Sequence, residues 1–220
     1  MNAIRLRPCT ANDVDIAVPL IHDSGPIAFR YVFAQDHEAQ SLEFLHAAFV
    51  EGSGQFGYHN HLAVERDGAM VAVAASWDAR ANLRFTLIAA RQILGFYGLA
   101  GLAVIGRGIR LERVVRPAVP GVAYLGHLTV ALGCRGQGVG REMIAQLLDR
   151  ARAAGHARAA LDVAVSNPRA RALYQGLGFR VLETRKSRLV GRWGSVVDHE
   201  YMECDLAAHS SPGVDRAPPD

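Results

Sequence analysis

The spacing of hydrophobic and polar residues predicts that strands and helices alternate through the first third of the chain. Residues 4–7 alternate apolar and polar side chains, as a short half-buried strand does. A capped apolar run over residues 10–21 and helical spacing over residues 38–50 predict two helices. Residues 62–77 contain two β-rich runs around an Asp-Gly pair at 67–68, which favours a tight hairpin turn. This part of the chain therefore predicts a strand, two helices and a β-hairpin.

Residues 82–116 form a long apolar segment that we predict to be largely helical. Its longest uncharged run, residues 93–105, is shorter than the roughly 20 residues that a membrane-spanning helix needs, and its length is typical of a buried helix. Three glycines at every third position from Gly95 leave one face nearly bare, which predicts close packing on another element. A membrane-surface or substrate-covering role is the alternative. Four arginines at every third position from Arg107 indicate a solvated helix face.

The second half of the chain predicts a strand, a helix and a parallel strand, followed by a second helix and two closing strands. The first helix has a strongly amphipathic pattern, and Gly155 marks its end. Asn167 and Pro168 open the second helix, as a cap and a first-turn proline do. This order predicts an α+β fold with a mixed sheet and one parallel crossover. The predicted elements are the strands 123–130, 159–165, 179–184 and 196–205 and the helices 140–154 and 167–179.

Length and composition predict a single domain with a substantial core. The chain has 220 residues, of which half are hydrophobic and a fifth are charged. We predict that the domain covers residues 1–206 and that residues 207–220, which contain Pro, Ser and Gly, form a disordered tail. The net charge of +3 is spread along the chain among acidic residues, which argues against a nucleic-acid partner.

The cysteines and the N-terminal sequence bear on the cellular compartment. Cys9, Cys134 and Cys204 are too widely spaced to indicate a disulfide framework or a zinc site, and no metal site is predicted. The N-terminus has no apolar leader segment. We therefore expect a cytoplasmic protein without stable membrane insertion, and a homodimer is compatible with the sequence.

The stretch "CRGQGVGR" at residues 134–141 lies between a predicted strand and a predicted helix. Such a loop presents backbone N–H groups and the positive end of a helix to an anion, and glycines allow close approach. A nucleoside-triphosphate loop would need a lysine, which is missing here. A dinucleotide loop would need a third glycine where Arg141 stands, although Asp162 lies at the distance expected of its ribose-binding acid. The loop therefore predicts a phosphate-bearing ligand, with a dinucleotide as an open alternative.

A longer pattern resembles the GNAT-type N-acetyltransferase superfamily. The loop is similar to that family's R/Q-x-x-G-x-G/A motif, and the resemblance is tight over residues 121–184, looser over 1–80 and absent over 82–116. It implies a GNAT fold, with a mixed, mostly antiparallel central sheet flanked by helices and strands that splay apart at the cofactor site. The implied cofactor is acetyl-CoA, used as a co-substrate. The family's second motif, N-x-x-A-x-x-L-Y…G-F, is present as Asn167, Ala170, Leu173, Tyr174, Gly178 and Phe179.

The resemblance also implies a set of cofactor contacts. The CoA pyrophosphate would lie on the N–H groups of residues 136–141, and the backbone of residues 128–130 would bind the pantetheine arm as an added strand does. Asn167 would contact the cofactor, cap the following helix, or do both. The implied cofactor-binding residues are Leu128, Thr129, Val130, Arg135, Gly136, Gln137, Gly138, Val139, Gly140, Arg141, Asn167, Arg171 and Tyr174.

Three residues are candidates for catalysis. Tyr174 occupies the position of the family's tyrosine, which would act as an acid toward the departing CoA thiolate. Asp162 and His127 are alternative general bases, and a base that acts through water or is absent stays open. His59, His61 and Glu65, near the predicted hairpin, are further candidates for the acceptor side.

The predicted activity is transfer of an acetyl group from acetyl-CoA to a primary amine of a small molecule or peptide by direct attack. The apolar segment 82–116 favours a hydrophobic amine over a polycation. A non-catalytic acyl-CoA-binding or sensor module of the same fold is the alternative.

Overall fold

The computed structural model describes residues 3–207 of the chain, so the predicted disordered tail lies outside the described residues except for Ala207. These residues form one sheet of seven strands, a separate two-stranded ribbon and seven α-helices. In chain order the elements are β1 (Arg5–Pro8), α1 (Val14–Asp23), α2 (Pro26–Phe33), α3 (Gln40–Glu51), β2 (His61–Arg66), β3 (Ala69–Trp77), α4 (Ala79–Tyr97), α5 (Gly101–Leu111), β4 (Val122–Val130), α6 (Val139–Ala153), β5 (Arg158–Ala164), α7 (Pro168–Gln175), β6 (Arg180–Arg185), β7 (Val190–Gly191), β8 (Gly194–Ser195) and β9 (His199–Asp205).

The central sheet is mixed and mostly antiparallel, as predicted. Its strand order is β1-β2-β3-β4-β5-β9-β6, and only β4 and β5 are parallel. The predicted hairpin joins β2 and β3, and both turn residues have positive φ, 54° at Asp67 and 78° at Gly68. Positive φ at both positions is what the tight turn of a two-residue hairpin requires.

Helices cover both faces of this sheet. On one face α6 and α7 pack against alternate strand residues such as Val64 and Ala72. On the other face α1 to α5 pack against the intervening residues, including Ala63 and Val73. The period-two alternation of the strands thus supplies two cores, one on each face. The predicted inner face of α6 is buried as expected, and it contains Met143, Ile144, Leu147 and Leu148.

The sheet opens between β4 and β5. Their hydrogen-bonded register covers only Val122–Tyr124 against Arg158–Ala160, so the C-terminal half of β4 has no partner on that side. On its other side β4 carries a bulge: Val73 faces Thr129 and Ala75 faces Gly126, which leaves one extra residue in β4. A bulge bends its strand and increases the local twist. The predicted splay of the strands is therefore present, and it begins just after Tyr124.

The apolar segment 82–116 is two helices rather than one long helix. Gly98 has φ 58° and ψ −140°, which ends α4, and the chain folds back so that Gly101 lies against Ile93. The prediction that the spaced glycines mediate close packing is right only at Gly101. It is wrong at Gly95 and Gly98, where an added Cβ would meet no atom within 4 Å.

Two further expectations need correction. Arg107 does not lie on a solvated face, because it is half-buried and its Nε donates to the carbonyl oxygen of Val32 at 2.9 Å. The pattern analysis also missed α2 and the β7–β8 ribbon. Gly25 and Pro26 mark the start of α2 in the way a cap and a first-turn proline do. The ribbon strands have two residues each, which is too short for a periodic pattern.

Candidate active site

The glycine loop before α6 forms a row of free backbone donors. Gly136 and Gly138 have φ of 78° and 82°, a conformation that L side chains rarely adopt. Within residues 3–207, the six N–H groups from Gly136 to Arg141 have no acceptor, and they surround the positive N-terminus of a fifteen-residue helix. Gln137 is anchored at both ends of its amide, by Arg66 and by the carbonyl oxygen of Gly133. This arrangement fits a pyrophosphate.

The arginines around the loop are held by protein contacts. Arg135 donates from Nε to the carbonyl oxygen of Val130 at 2.8 Å, and Arg141 donates from Nη1 to the carbonyl oxygen of Gly176 at 3.2 Å. Both side chains remain on the surface beside the free N–H groups. Arg171 pairs with Glu200 of β9 at 2.7 Å. Sequence analysis missed Arg169, whose Nη2 would lie 3.0 Å from a Cβ at position 136 and therefore overhangs the loop.

Asn167 caps α7. Its side-chain oxygen accepts a hydrogen bond from the N–H of Ala170 at 3.1 Å, and Pro168 follows at the first helical position. The capping alternative left open by the sequence is therefore present, and the cofactor contact of Asn167 stays a prediction.

The unpaired half of β4 carries the residues expected to bind the pantetheine arm. Leu128 and Val130 are half-buried there, and Thr129 is buried. The hydroxyl oxygen of Thr129 is buried and has no hydrogen-bond partner among the described residues. A buried polar atom without a partner is costly, so this position suits a polar ligand group. The opening in the sheet thus fits a chain of amides.

A cavity of about 390 Å³ lies beside this opening, between α2, α4, α5 and β4. His127, Asp162 and Tyr174, which come from three different elements, all line it. The structure therefore brings together the three residues predicted to act in catalysis. Most of the remaining wall is apolar, and its aromatic residues are Phe29, Phe33, Phe56, Trp77, Phe85 and Tyr124.

His127 forms a hydrogen-bonded pair with His61. Nδ1 of His61 lies 2.9 Å from the carbonyl oxygen of Gly57, so it must carry a proton. Nε2 of His61 then accepts a hydrogen bond from Nδ1 of His127 at 2.9 Å. The planes of the two rings are nearly parallel, with an angle of 11° between them. Nε2 of His127 is left without a proton and without a partner among residues 3–207. This sequence of bonds fixes the tautomer of His127 and provides a lone pair at the cavity.

Burial keeps both histidines neutral. Burial lowers the pKa of His61 to about 4. Burial and, second, the electrostatic effect of protonating two adjacent imidazoles hold the pKa of His127 well below its usual range. His127 also sits at the bulge of β4 with φ 52°, which is strained for a residue with a side chain. The bulge turns its ring toward His61 and away from the regular pleat of the strand.

Asp162 of β5 is held by two neighbours, one in β4 and one in β6. One carboxylate oxygen accepts from the hydroxyl of Tyr124 at 2.9 Å, and the other pairs with Nη1 of buried Arg185 at 3.0 Å. Burial raises the pKa of Asp162 to about 6 although Arg185 opposes the shift. Both oxygens are therefore already engaged, which leaves Asp162 less available for proton transfer than His127.

Tyr174 presents a free phenol to the cavity. It lies in α7, its ring packs near Phe179, and its hydroxyl has no partner among residues 3–207. Burial raises the pKa of Tyr174 to about 12. The phenol therefore keeps its proton at neutral pH and acts as a hydrogen-bond donor.

The other candidates near the hairpin do not line the acceptor side. His61 lies behind His127, His59 is exposed, and Glu65 accepts from Nε of Arg7 on β1 at 2.7 Å. Sequence analysis missed Gly57, which fixes His61 and lies so close to Gly52 that an added Cβ would come within 2.2 Å of its backbone. Among residues 3–207, no cluster of three or more His, Cys, Asp or Glu side chains is placed to hold a metal ion.

Solved acetyltransferases share this fold. The chain is similar to the yncA structure from Salmonella typhimurium, solved with its cofactor acetyl-CoA, at 16% identity and a TM-score of 0.52, over 96% of this chain and 98% of that chain. A ribosomal-protein-alanine N-acetyltransferase from Brucella melitensis is 20% identical, with a TM-score of 0.55 over 91% of this chain and 99% of that chain. A spermidine N-acetyltransferase chimera from Vibrio cholerae and hSSAT is 17% identical, with a TM-score of 0.57 over 93% of this chain and 96% of that chain.

Family membership rests on the sequence match. No curated protein matches the chain. The model of the Acetyltransferase (GNAT) family, however, matches residues 29–179, which are more than half of this chain. The matched residues include the glycine loop, the histidine pair and Tyr174. With the fold and the donor row in agreement, the chain belongs to the GNAT acetyltransferase family.

Proposed function

We propose that this protein transfers an acetyl group from acetyl-CoA to a primary amine by direct attack, without a covalent enzyme intermediate. The observation that carries the proposal is the position of His127 and Tyr174 at one cavity, beside the open half of β4 and its donor row. Acetyl-CoA supplies the activated acetyl group. The N–H groups of residues 136–141 hold its pyrophosphate, and the free edge of β4 holds its pantetheine amides.

His127 is the general base in this proposal. Its Nε2 faces the cavity as an acceptor, and its low pKa keeps it unprotonated at neutral pH. When the amine nitrogen forms its new bond, its N–H becomes acidic and the proton passes to Nε2 of His127. The hydrogen bond from Nδ1 of His127 to His61 then becomes charge-assisted, which stabilises the imidazolium. His61 is a positioning residue, because it acts through His127.

Tyr174 supports the departure of the thiolate. Since its pKa of about 12 lies above that of a thiol, the phenol donates a hydrogen bond and keeps its proton. Tyr174 thereby stabilises negative charge as it develops on sulfur.

The cavity favours an amine with an apolar body. Its walls are aromatic and aliphatic side chains from α2, α4 and α5. Glu112 at the end of α5 also lines the cavity and has no ion-pair partner among residues 3–207. One carboxylate suits the entry of a substrate with a single ammonium group, which loses one proton to solvent before its nitrogen attacks, whereas a polycation would leave further charges against apolar walls.

A thiol-release assay with acetyl-CoA tests the proposal. We expect turnover with phenethylamine, a primary amine on an aromatic body, and little turnover with spermidine. The Tyr174→Phe variant should lower kcat at least about tenfold with little change in CoA affinity, because it removes only the donor. Tight CoA binding without turnover for any primary amine would contradict the enzyme and favour the acyl-CoA-binding module.

A further inference from the structure

The outer surface of α4 and α5 is unusually apolar for a surface. We call residues 79–111 the α4–α5 hairpin. By length and hydropathy it is the one segment of residues 3–207 that is apolar enough to cross a membrane, yet only 17% of its most apolar window is buried in the protein. Leu99, at the turn between the two helices, is 87% exposed. Leucines this exposed indicate a surface that contacts something else.

The exposed leucines of α4 form one stripe. Leu83, Leu87 and Leu94 are 71%, 64% and 41% exposed, and at 100° per residue they lie within about 40° of one another around the helix. Phe85 and Ala89 line the cavity from the opposite side of α4, and the cavity-lining side reaches the edge of this stripe at Ala90. On α5, Leu102 and Ile109 are exposed in the same way, and Ile109 also forms part of the cavity rim.

The same segment is strongly basic. Residues 79–111 contain five arginines and no acidic residue, a net charge of +5, whereas the whole chain carries only +3. Arg80 and Arg84 lie beside the leucine stripe of α4 and make no ion pair within the described part of the chain. Apolar residues flanked by arginines are the pattern of a helix that lies in the headgroup region of a bilayer.

We propose that the α4–α5 hairpin docks on an anionic lipid surface and lies in the plane of its headgroups. Charge complementarity selects this occupant, because a second copy of the chain would bring an equally basic face to the contact. A membrane span is excluded by the turn at Gly98 and by the cavity-lining side of α4. The proposal does not depend on the catalytic roles of His127 or Tyr174.

Flotation of the full chain with vesicles tests the proposal. We expect binding to phosphatidylcholine vesicles that contain phosphatidylserine, loss of binding at high salt, and none to phosphatidylcholine alone. The double variants Leu83→Gln/Leu87→Gln and Arg80→Gln/Arg84→Gln should each weaken binding at least about tenfold. The Ile16→Gln variant, which removes a half-exposed apolar residue from α1, is the matched control and should bind as the wild type does.

Three outcomes would overturn the proposal. The first is no binding to anionic vesicles at low salt by protein whose circular dichroism shows a folded chain. The second is equal binding by the wild type and the leucine double variant. The third is a dimer in analytical ultracentrifugation that dissociates in the leucine double variant, which would make this face a contact between two copies.

Discussion

At the scale of single residues, the strained backbone of His127 gives a sharp test of its role. A glycine would adopt φ 52° without strain, whereas alanine would keep the strain and lose only the ring. We expect both His127→Gly and His127→Ala to lower kcat/KM at least about tenfold. The glycine variant should be more stable than the alanine variant by about 1 kcal/mol in urea unfolding.

Two results would contradict this reading of His127. Equal free energies of unfolding for the glycine and alanine variants would mean that the bulge carries no strain. Wild-type kcat/KM in the alanine variant would remove His127 as the base and leave Asp162 or water in that role.

The buried pair also predicts how stability depends on pH. The pKa of His61 is about 4 in the folded chain and about 6.5 when unfolded. The unfolded chain therefore binds more protons between these values, so the stability from His61 is fully present above pH 6.5 and is lost as the pH falls toward 4. His61→Asn keeps a donor for the carbonyl of Gly57 and removes the titration.

As the pH falls from 6.5 to 4, we expect the free energy of unfolding to decrease less in His61→Asn than in the wild type. The two decreases should differ by up to about 3 kcal/mol. Chemical denaturation at a series of pH values measures the difference. His46→Asn, which removes an exposed histidine from α3, should keep the wild-type slope. A slope in His61→Asn that matches the wild type would show that His61 does not stay neutral on folding.

Sequence alone put His127 forward as one candidate base but did not predict its contact with His61. His127 stood out because it lies on the strand that the resemblance assigns to the cofactor. Its contact with His61 spans 66 positions and depends on a one-residue bulge, and neither leaves a pattern in the sequence. Gly57 was missed for the same reason, since its closeness to Gly52 exists only in the folded chain.

At the scale of elements, the loop before α6 can be tested with a matched glycine at the other end of the same helix. Gly138 and Gly155 have φ of 82° and 83°, and an added Cβ at either would meet no atom within 4 Å. Valine should therefore cost similar stability at both positions through backbone strain alone. Only Gly138→Val places bulk beside the donor row.

We expect Gly138→Val to weaken CoA binding at least about tenfold in calorimetry, while Gly155→Val binds as the wild type does. Both variants should lose about 1–2 kcal/mol of unfolding free energy. Equal CoA affinity in the two variants would remove the loop from the cofactor site.

Elements with local signals were predicted well, and those set by distant contacts were not. The strand, loop and helix around residues 122–153 follow from periodicity, glycines and a helix stop that are all adjacent in sequence. The break at Gly98 was missed because glycine is tolerated within a helical pattern, and only the packing of Gly101 on Ile93 makes it a turn.

At the scale of the whole molecule, the mixed sheet and its single crossover were predictable and the cavity was not. The order of strands and helices restricts the topology to few choices. Much of the cavity wall comes from α2, α4, α5 and β4, and the motifs that carry the family resemblance lie outside residues 82–116. The acceptor side therefore depends on contacts between elements that are distant in sequence.

The short register between β4 and β5 has a consequence for how the protein associates with other chains. Beyond Tyr124 the sheet has two interior edges whose backbone groups face each other without bonding. Open edges attract other extended chains, and a protein normally blunts them. In the proposed complex the pantetheine arm of CoA would lie between these edges, where a regular sheet has paired strands. If the pantetheine arm of CoA binds there as proposed, it covers the backbone groups of both edges and blocks their pairing with another extended chain.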